Sequence, residues 1–354
     1  MDVLKRPHAV LALDLEQHYR GKCVAVTGAA GSIGSALAEE LAKLECGRLV
    51  LLDHFDHGLL DIVERVGRID KRLDVVDALC DVRDRERLNK WFSRARPDIV
   101  IHAAALKHVH LGERHPGECV LTNLAGVRNT LAAAHAGGAS NFTLVSSDKA
   151  ASPVCIMGAT KRLAELHLLG FRQEHPSSEM TLKSVRFGNV VGSQGSVLPR
   201  FNAQIAAGGP LEVTHPQMER FFMSVQEAVS LILGVIRSDD DSGAYFMEMG
   251  ELVSILELGR EMIARSGRKI GIEFTGLRPG EKLKEELFDA SESVSPASLA
   301  GVFKVAPRSP HAALSTAEVD ELERMARGSE DGVVLARMFA RLDARLGRQE
   351  RATG

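Results

Sequence analysis

Two ionisable side chains, Asp148 and Lys149, stand side by side just after the apolar run Phe142–Val145 and the hydroxyls of Ser146 and Ser147. A carboxyl and an amine held under one substrate can serve as general acid and general base. For that, burial must move both proton affinities toward neutrality, Asp148 upward and Lys149 downward. Met157 and Lys161 follow within the next helical pattern. A thioether neither gives nor takes a proton, so proton handling falls to Asp148, Lys149 and Lys161, with the Ser147 hydroxyl as a relay. A non-catalytic alternative makes Asp148 a helix cap, Lys149 and Lys161 solvated side chains and Met157 a core residue.

Such residues need a frame, and the first half of the chain predicts one. Cys23–Thr27 reads as a short buried strand, followed at once by Gly28-Ala-Ala-Gly31-Ser32-Ile33-Gly34 and a helix with Ile33, Leu37, Leu41 and Leu44 on one face. Strand, glycine turn and helix together present free amides to a pyrophosphate, so Gly28, Gly31, Ser32, Ile33 and Gly34 are expected to hold a dinucleotide. A second strand, Arg48–Leu52, ends in Asp53, placed to accept from both ribose hydroxyls of NAD and to repel a 2′-phosphate; NADP is the lesser expectation. Asp81 and Val82 close a third strand beside the adenine position. Ile99–His102 runs into the small Ala103 and Ala104, which let backbone approach a cofactor. Strands alternating with helices (Arg85–Ser93, Gly126–Ala136) predict an α/β, doubly wound parallel sheet. Its carboxyl ends gather Asp53, Asp81, Ala103 and Ser147 on one edge.

The bulk numbers set the class. A chain of 354 residues with formal net charge −3 and 45% hydrophobic residues is an ordinary globular protein with room for more than one part. No clustered basic excess points to nucleic acid. Five scattered cysteines without a C-x-x-C pair predict buried thiols, not disulfides or a metal site. The charged first twenty residues do not read as a signal peptide, and no apolar run is long enough to span a bilayer. A cytoplasmic protein is expected.

Past Val185 the pattern changes to glycine-rich polar loops, the composition of a binding surface. Several segments, in order, carry a resemblance: VTGAAGSIGSALAEE, HAAALKHV, TNLAGVRNTLAAA, SSDKA, MGATKRLAE, RFGNVVGSQGSVLPRF, VTHPQMERFFM and GLRPGEKL. From about Leu15 to Phe288 the chain resembles the extended short-chain dehydrogenases/reductases, and within them the nucleotide-sugar 4,6-dehydratases of polysaccharide biosynthesis that act on UDP-N-acetylglucosamine. Met157 stands where that superfamily usually has its acid/base tyrosine, while the lysine four residues on is kept as Lys161.

The resemblance implies NAD-dependent hydride removal from sugar carbon 4, loss of water across carbons 5 and 6, and hydride return to carbon 6. It implies Asp148 as acid to the 6-hydroxyl, Lys149 as base at carbon 5, and Lys161 against the nicotinamide ribose. A UDP-sugar would be held by Lys107, Asn123, Asn189, Ser196, Val197, Arg220, Arg278 and Glu281, with Asn123 also placing a relay water. Arg220 and Arg278 offer forked donors to a diphosphate. Ser147 replaces a more common threonine, and His110 and Gly112 depart from an expected proline and methionine in a loop placed near the sugar. The implied organisation is a dinucleotide-binding part over 1–185, a nucleotide-sugar part over 186–305 and a helical tail over 306–354. Helices around Leu124–Ala136 and Ala159–Phe171 form a dimer interface in this superfamily, so a homo-oligomer is expected. A 4-epimerase, or a silent dinucleotide- or sugar-binding regulator, are the competing readings.

Overall fold

A computed structural model describes residues 10–11, 14–193, 195–309, 311–328 and 330–346. Its centre is a nine-stranded sheet: β1 (Cys23–Thr27), β2 (Arg48–Asp53), β3 (Asp74–Leu79), β4 (Ile99–His102), β5 (Asn141–Val145), β6 (Thr181–Arg186), β7 (Gly243–Met247), β8 (Glu292–Pro296) and β9 (Val302–Pro307). The order across the sheet is β8-β9-β7-β6-β5-β4-β1-β2-β3. The run from β3 to β7 is parallel, and β9 and β8 are added antiparallel at one edge. Every residue of β4 and β5 is buried, which explains why they read as near-continuous apolar runs without alternation.

Helices cover both faces: α1 (Ser32–Ala42), α2 (Asp56–Ile69), α3 (Arg85–Ala95), α4 (Gly126–Gly137), α5 (Ile156–Glu174), α6 (Val225–Arg237), α7 (Thr316–Gly328) and α8 (Asp331–Leu346). Leu37, Leu41, Ile232 and Val235 close one face of the sheet, while Leu124, Leu131, Leu163 and Leu166 close the other. A smaller separate core around Phe201, Leu211, Phe222 and Leu258 supports the loops past β6. Among the described residues, no helix is long and apolar enough to cross a membrane.

The expected dimer face is covered by the chain itself. Val319, Leu322, Val334, Met338 and Leu342 from α7 and α8 are fully buried in one cluster with Leu131, Leu163 and Leu166. Arg128 of α4 pairs with Asp320 and Glu323 of α7. A Cβ at Gly170 would lie 2.0 Å from the Leu314 carbonyl oxygen, so the segment before α7 rests directly on the α5 backbone. Among the described residues, the apolar stripe of α4 and α5 is thus covered by α7 and α8 of the same chain.

Candidate active site

The glycine turn is built for close approach. Gly28 has φ +68°, and a Cβ there would sit 2.6 Å from the Ala104 amide nitrogen; one at Gly34 would sit 2.0 Å from the Gly28 carbonyl oxygen. Gly31 is the extended residue that opens α1, so Ser32 and Ile33 form its first turn. Asp53, at the end of β2, braces this turn: its carboxylate accepts from the Ala30 amide at 2.9 Å and the Phe55 amide at 3.0 Å. A carboxylate has about four lone-pair sites, so acceptor capacity remains. Ala103 donates its amide to the Thr27 carbonyl at 3.0 Å, locking β4 to β1 beside Gly28.

The adenine-side residues are more committed than expected. Asp81 accepts from the Arg83 amide and from Arg83 Nε at 2.8 Å, and Arg83 also pairs with Glu118. Burial would raise the Asp81 pKa, but Arg83 outweighs it and holds the group below its ordinary value. The Val82 carbonyl accepts from Asn129 at 3.1 Å, which ties this loop to α4.

At the end of β5 the chain turns sharply through Asp148–Ala150, with Ser147 as its cap. Asp148 is 1% exposed. Its Oδ1 accepts from the Ser147 hydroxyl at 2.9 Å and from Lys149 Nζ at 3.0 Å, while Oδ2 is buried with no partner. Asp148 and Lys149 thus form an ion pair with a buried carboxylate and a lysine side chain 16% exposed, so neither Lys149 nor the buried Lys161 is a freely solvated side chain.

One expectation is reversed. Burial would lower the Lys149 pKa, but the carboxylates of Asp148 and Glu285 outweigh it and raise it above the ordinary lysine value, with Arg220 opposing them. Glu285 Oε1 lies 3.5 Å from Lys149 Nζ. Sequence reasoning missed this glutamate, which is remote in the chain; its only local signal was its nearness to the GLRPGEKL segment.

Lys161 and Met157 lie in the first turns of α5. That helix starts against the acid–base turn: a Cβ at Gly158 would fall 2.3 Å from the Lys149 carbonyl oxygen, so only glycine allows the contact. Lys161 is 4% exposed, and its Nζ donates to the Val145 carbonyl at 2.8 Å. Burial pushes its pKa down to about 8, against the pull of Glu165. Met157 is buried. Gly112 backs it, since a Cβ there would meet Cys119 Sγ at 3.1 Å and the Met157 amide nitrogen at 3.7 Å. That position packs helix on helix.

The second-half residues are partly redirected. Arg220 does not present an open fork to a diphosphate: it donates to the carbonyls of Glu219, Lys282 and Leu283 and lies 3.8 Å from Glu285. The Asn123 amide is engaged by both backbone groups of Leu106 and by the Thr160 hydroxyl. Glu281 accepts from the Arg278 amide at 3.1 Å, forming a tight turn that leaves the half-buried Arg278 guanidinium without an ion pair among the described residues. Ser196 precedes the helix Val197–Ala206 with a buried, unpaired hydroxyl, and Asn189 opens a two-residue pairing with Phe222–Met223. Gly195 (φ +68°) presses on the His108 ring, beside the partly desolvated Lys107, so the 107–108 and 195–197 segments face each other.

A buried charge quartet fixes the relation of α5, β6 and β8. Arg186 reaches Glu165 at 2.6 Å and Glu292 at 2.8 Å, and Arg162 reaches Glu165 at 3.0 Å. Ser146 donates to Glu165 at 2.7 Å, linking the quartet to the residues just before Asp148.

Residues 24–307 match the profile of a family described as polysaccharide biosynthesis protein. The chain belongs to that family. It is 38% identical over 296 residues to the capsular polysaccharide biosynthesis protein CapD of Staphylococcus aureus, covering 82% of this chain and 49% of CapD. It therefore spans about half the length of that relative. A UDP-N-acetylglucosamine 4,6-dehydratase (inverting) of Campylobacter jejuni is 31% identical over 283 residues, covering 78% of this chain and 80% of the relative. The X-ray structure of Pen from Bacillus thuringiensis superposes with a TM-score of 0.76 at 31% identity, covering 83% of this chain and 90% of Pen. The family fold is the extended short-chain dehydrogenase/reductase type, a parallel sheet with flanking helices.

Proposed function

We propose that this chain is an NAD-dependent nucleotide-sugar 4,6-dehydratase acting on UDP-N-acetylglucosamine. The observation that carries the reading is the Asp148–Lys149 ion pair, 3.0 Å apart at the end of β5 with its carboxylate buried, together with the buried Lys161 bonded to the Val145 carbonyl of the same strand and Met157 in the usual tyrosine position. A relative bearing that activity in its name, 31% identical over most of both chains, supports it.

The residues fit a dinucleotide. Gly28 and Gly34 leave space that a Cβ would close, α1 begins directly behind them, and Asp53 at the end of β2 keeps acceptor capacity for ribose hydroxyls, which supports NAD over NADP. When bound, the dinucleotide supplies reversible two-electron chemistry at sugar carbons 4 and 6. The protein supplies the protons.

At rest, the raised proton affinity of Lys149 keeps it an ammonium. Moving one proton along its 3.0 Å contact with Asp148 gives a neutral amine and a carboxylic acid without any outside reactant. In that form Lys149 takes the proton of carbon 5, and Asp148 gives its proton to the departing 6-hydroxyl. Ser147, 2.9 Å from Asp148, passes the proton released from the 4-hydroxyl to solvent water; once carbon 6 is reduced, Lys149 returns a proton to carbon 5 and is reprotonated from water. Lys161, with its pKa near 8, supplies a cation beside the ribose that is readily lost.

Turnover of UDP-N-acetylglucosamine in deuterium oxide tests the reading. A 4-keto-6-deoxy product with deuterium at carbon 5 and no net consumption of NAD is expected. Turnover without carbon-5 exchange would mark an epimerase, and cofactor binding with no turnover of any UDP-hexose would mark a silent binder.

A further inference from the structure

Glu285 lies outside every role above, yet it is a member of the acid–base site. Its side chain is 4% exposed. Oε1 is 3.5 Å from Lys149 Nζ and 3.8 Å from the Arg220 guanidinium, and Oε2 is buried without a partner. The backbone that carries it is pinned, because Arg220 donates to the carbonyls of Lys282 and Leu283 and the Glu219 amide donates to Leu283 at 2.9 Å. A buried carboxylate oxygen without a donor is costly, so its retention beside a lysine calls for an electrostatic reason.

We propose that Glu285 is a positioning residue for proton transfer: its carboxylate holds the Lys149 amine from the far side and keeps a proton within the Asp148–Lys149 pair. The inference rests on the dehydratase reading for its catalytic meaning, but its electrostatic content can be measured without turnover. The groups facing Lys149 are Asp148 on its own turn, Glu285 and Arg220 from the second half, and the Cys155 thiol at the start of α5, with Glu113 behind it. Two carboxylates face two cations there. Removing the charge of Glu285 leaves Lys149 and Arg220 against Asp148 alone, so the pair must release its proton more readily. The direction agrees with the raised proton affinity of Lys149, to which Glu285 contributes. Glu285 also sits four residues after Glu281, so this charge travels with the segment expected to meet the nucleotide.

The test is competitive acetylation of Lys149 against pH, read by mass spectrometry on the full chain, for wild type, Glu285→Gln and Glu285→Asp. The midpoint should fall by about one pH unit or more in Glu285→Gln, a tenfold change in proton affinity, and by less in Glu285→Asp. In turnover, the alkaline limb of kcat should move down with it while KM changes little, which a purely structural role would not produce. An unchanged midpoint in a Glu285→Gln protein that melts like wild type overturns the proposal; should that variant fail to fold, an unchanged midpoint in Glu285→Asp does the same. Wild type that turns over no UDP-hexose would refute the dehydratase reading, whereas the acetylation midpoint alone decides Glu285.

Discussion

Replacing Glu165 by glutamine should cost about 3 kcal/mol of stability at pH 7, and the size follows from the quartet. Glu165 is 5% exposed and accepts from Arg186 Nε at 2.8 Å, Arg186 Nη2 at 2.6 Å, Arg162 at 3.0 Å and Ser146 at 2.7 Å. Burial alone would raise its pKa, but Arg186, with Arg162 and Ser146 behind it, holds it down to about 2 from 4.5. A depression of that size corresponds to roughly 3 kcal/mol favouring the folded, ionised state. The mutational route gives the same scale, because removing one partner from a buried ionic cluster leaves a charge uncompensated at about 3–5 kcal/mol. The pKa is depressed on folding, so this stabilisation is complete above pH 4.5 and is lost as pH falls toward 2. Urea unfolding of both proteins from pH 7 down to pH 3 measures it. The gap should be about 3 kcal/mol at neutral pH and shrink steadily below pH 4.5. A gap under about 1 kcal/mol at pH 7, or one that does not change with pH, would refute the charge argument.

Asp148→Asn and Lys149→Ala should each lower dehydratase turnover by roughly 10²–10⁴-fold while leaving dinucleotide affinity intact, as read by product chromatography and calorimetry. Gly34→Ala should weaken dinucleotide binding at least about tenfold and destabilise the chain by about 1–3 kcal/mol, since its Cβ would lie 2.0 Å from the Gly28 oxygen; calorimetry and thermal melting report the two effects. Lys161→Met should stabilise the protein at pH 7. With its pKa lowered from 10.5 to about 8 in the folded chain, Lys161 binds protons more tightly when unfolded, so wild-type stability should rise between those two values. After the lost bond to Val145, a net gain of about 2 kcal/mol is expected in denaturant titrations, together with a loss of activity.

Much of the frame was readable because its signals are local. Cys23–Thr27 and Ile99–His102 match their expected ranges, and the helix after the glycine turn spans Ser32–Ala42. Strand ends in a parallel sheet fall on one edge, so Asp53, Asp81, Ala103 and Ser147 could be assigned to a common rim from topology alone. That α7 and α8 cover the stripe on α4 and α5 was not readable, since an apolar helix stripe looks the same whether a second copy or the chain's own helices bury it. Gly112 gave no sign that it packs on the Met157 turn, because that contact joins two separate helices.

By itself, the sequence determined the kind of fold, the glycine cradle and the placement of an acid and an amine at a strand end, all products of neighbours along the backbone. Only the tertiary structure decided their chemistry. It brought Glu285 to 3.5 Å from Lys149 and turned Arg220 onto the 282–283 carbonyls. It likewise spent the Asn123 amide on the 106 loop. Proton affinity depends on the charges and solvent within a few ångströms, and here those charges come from segments far apart in the chain.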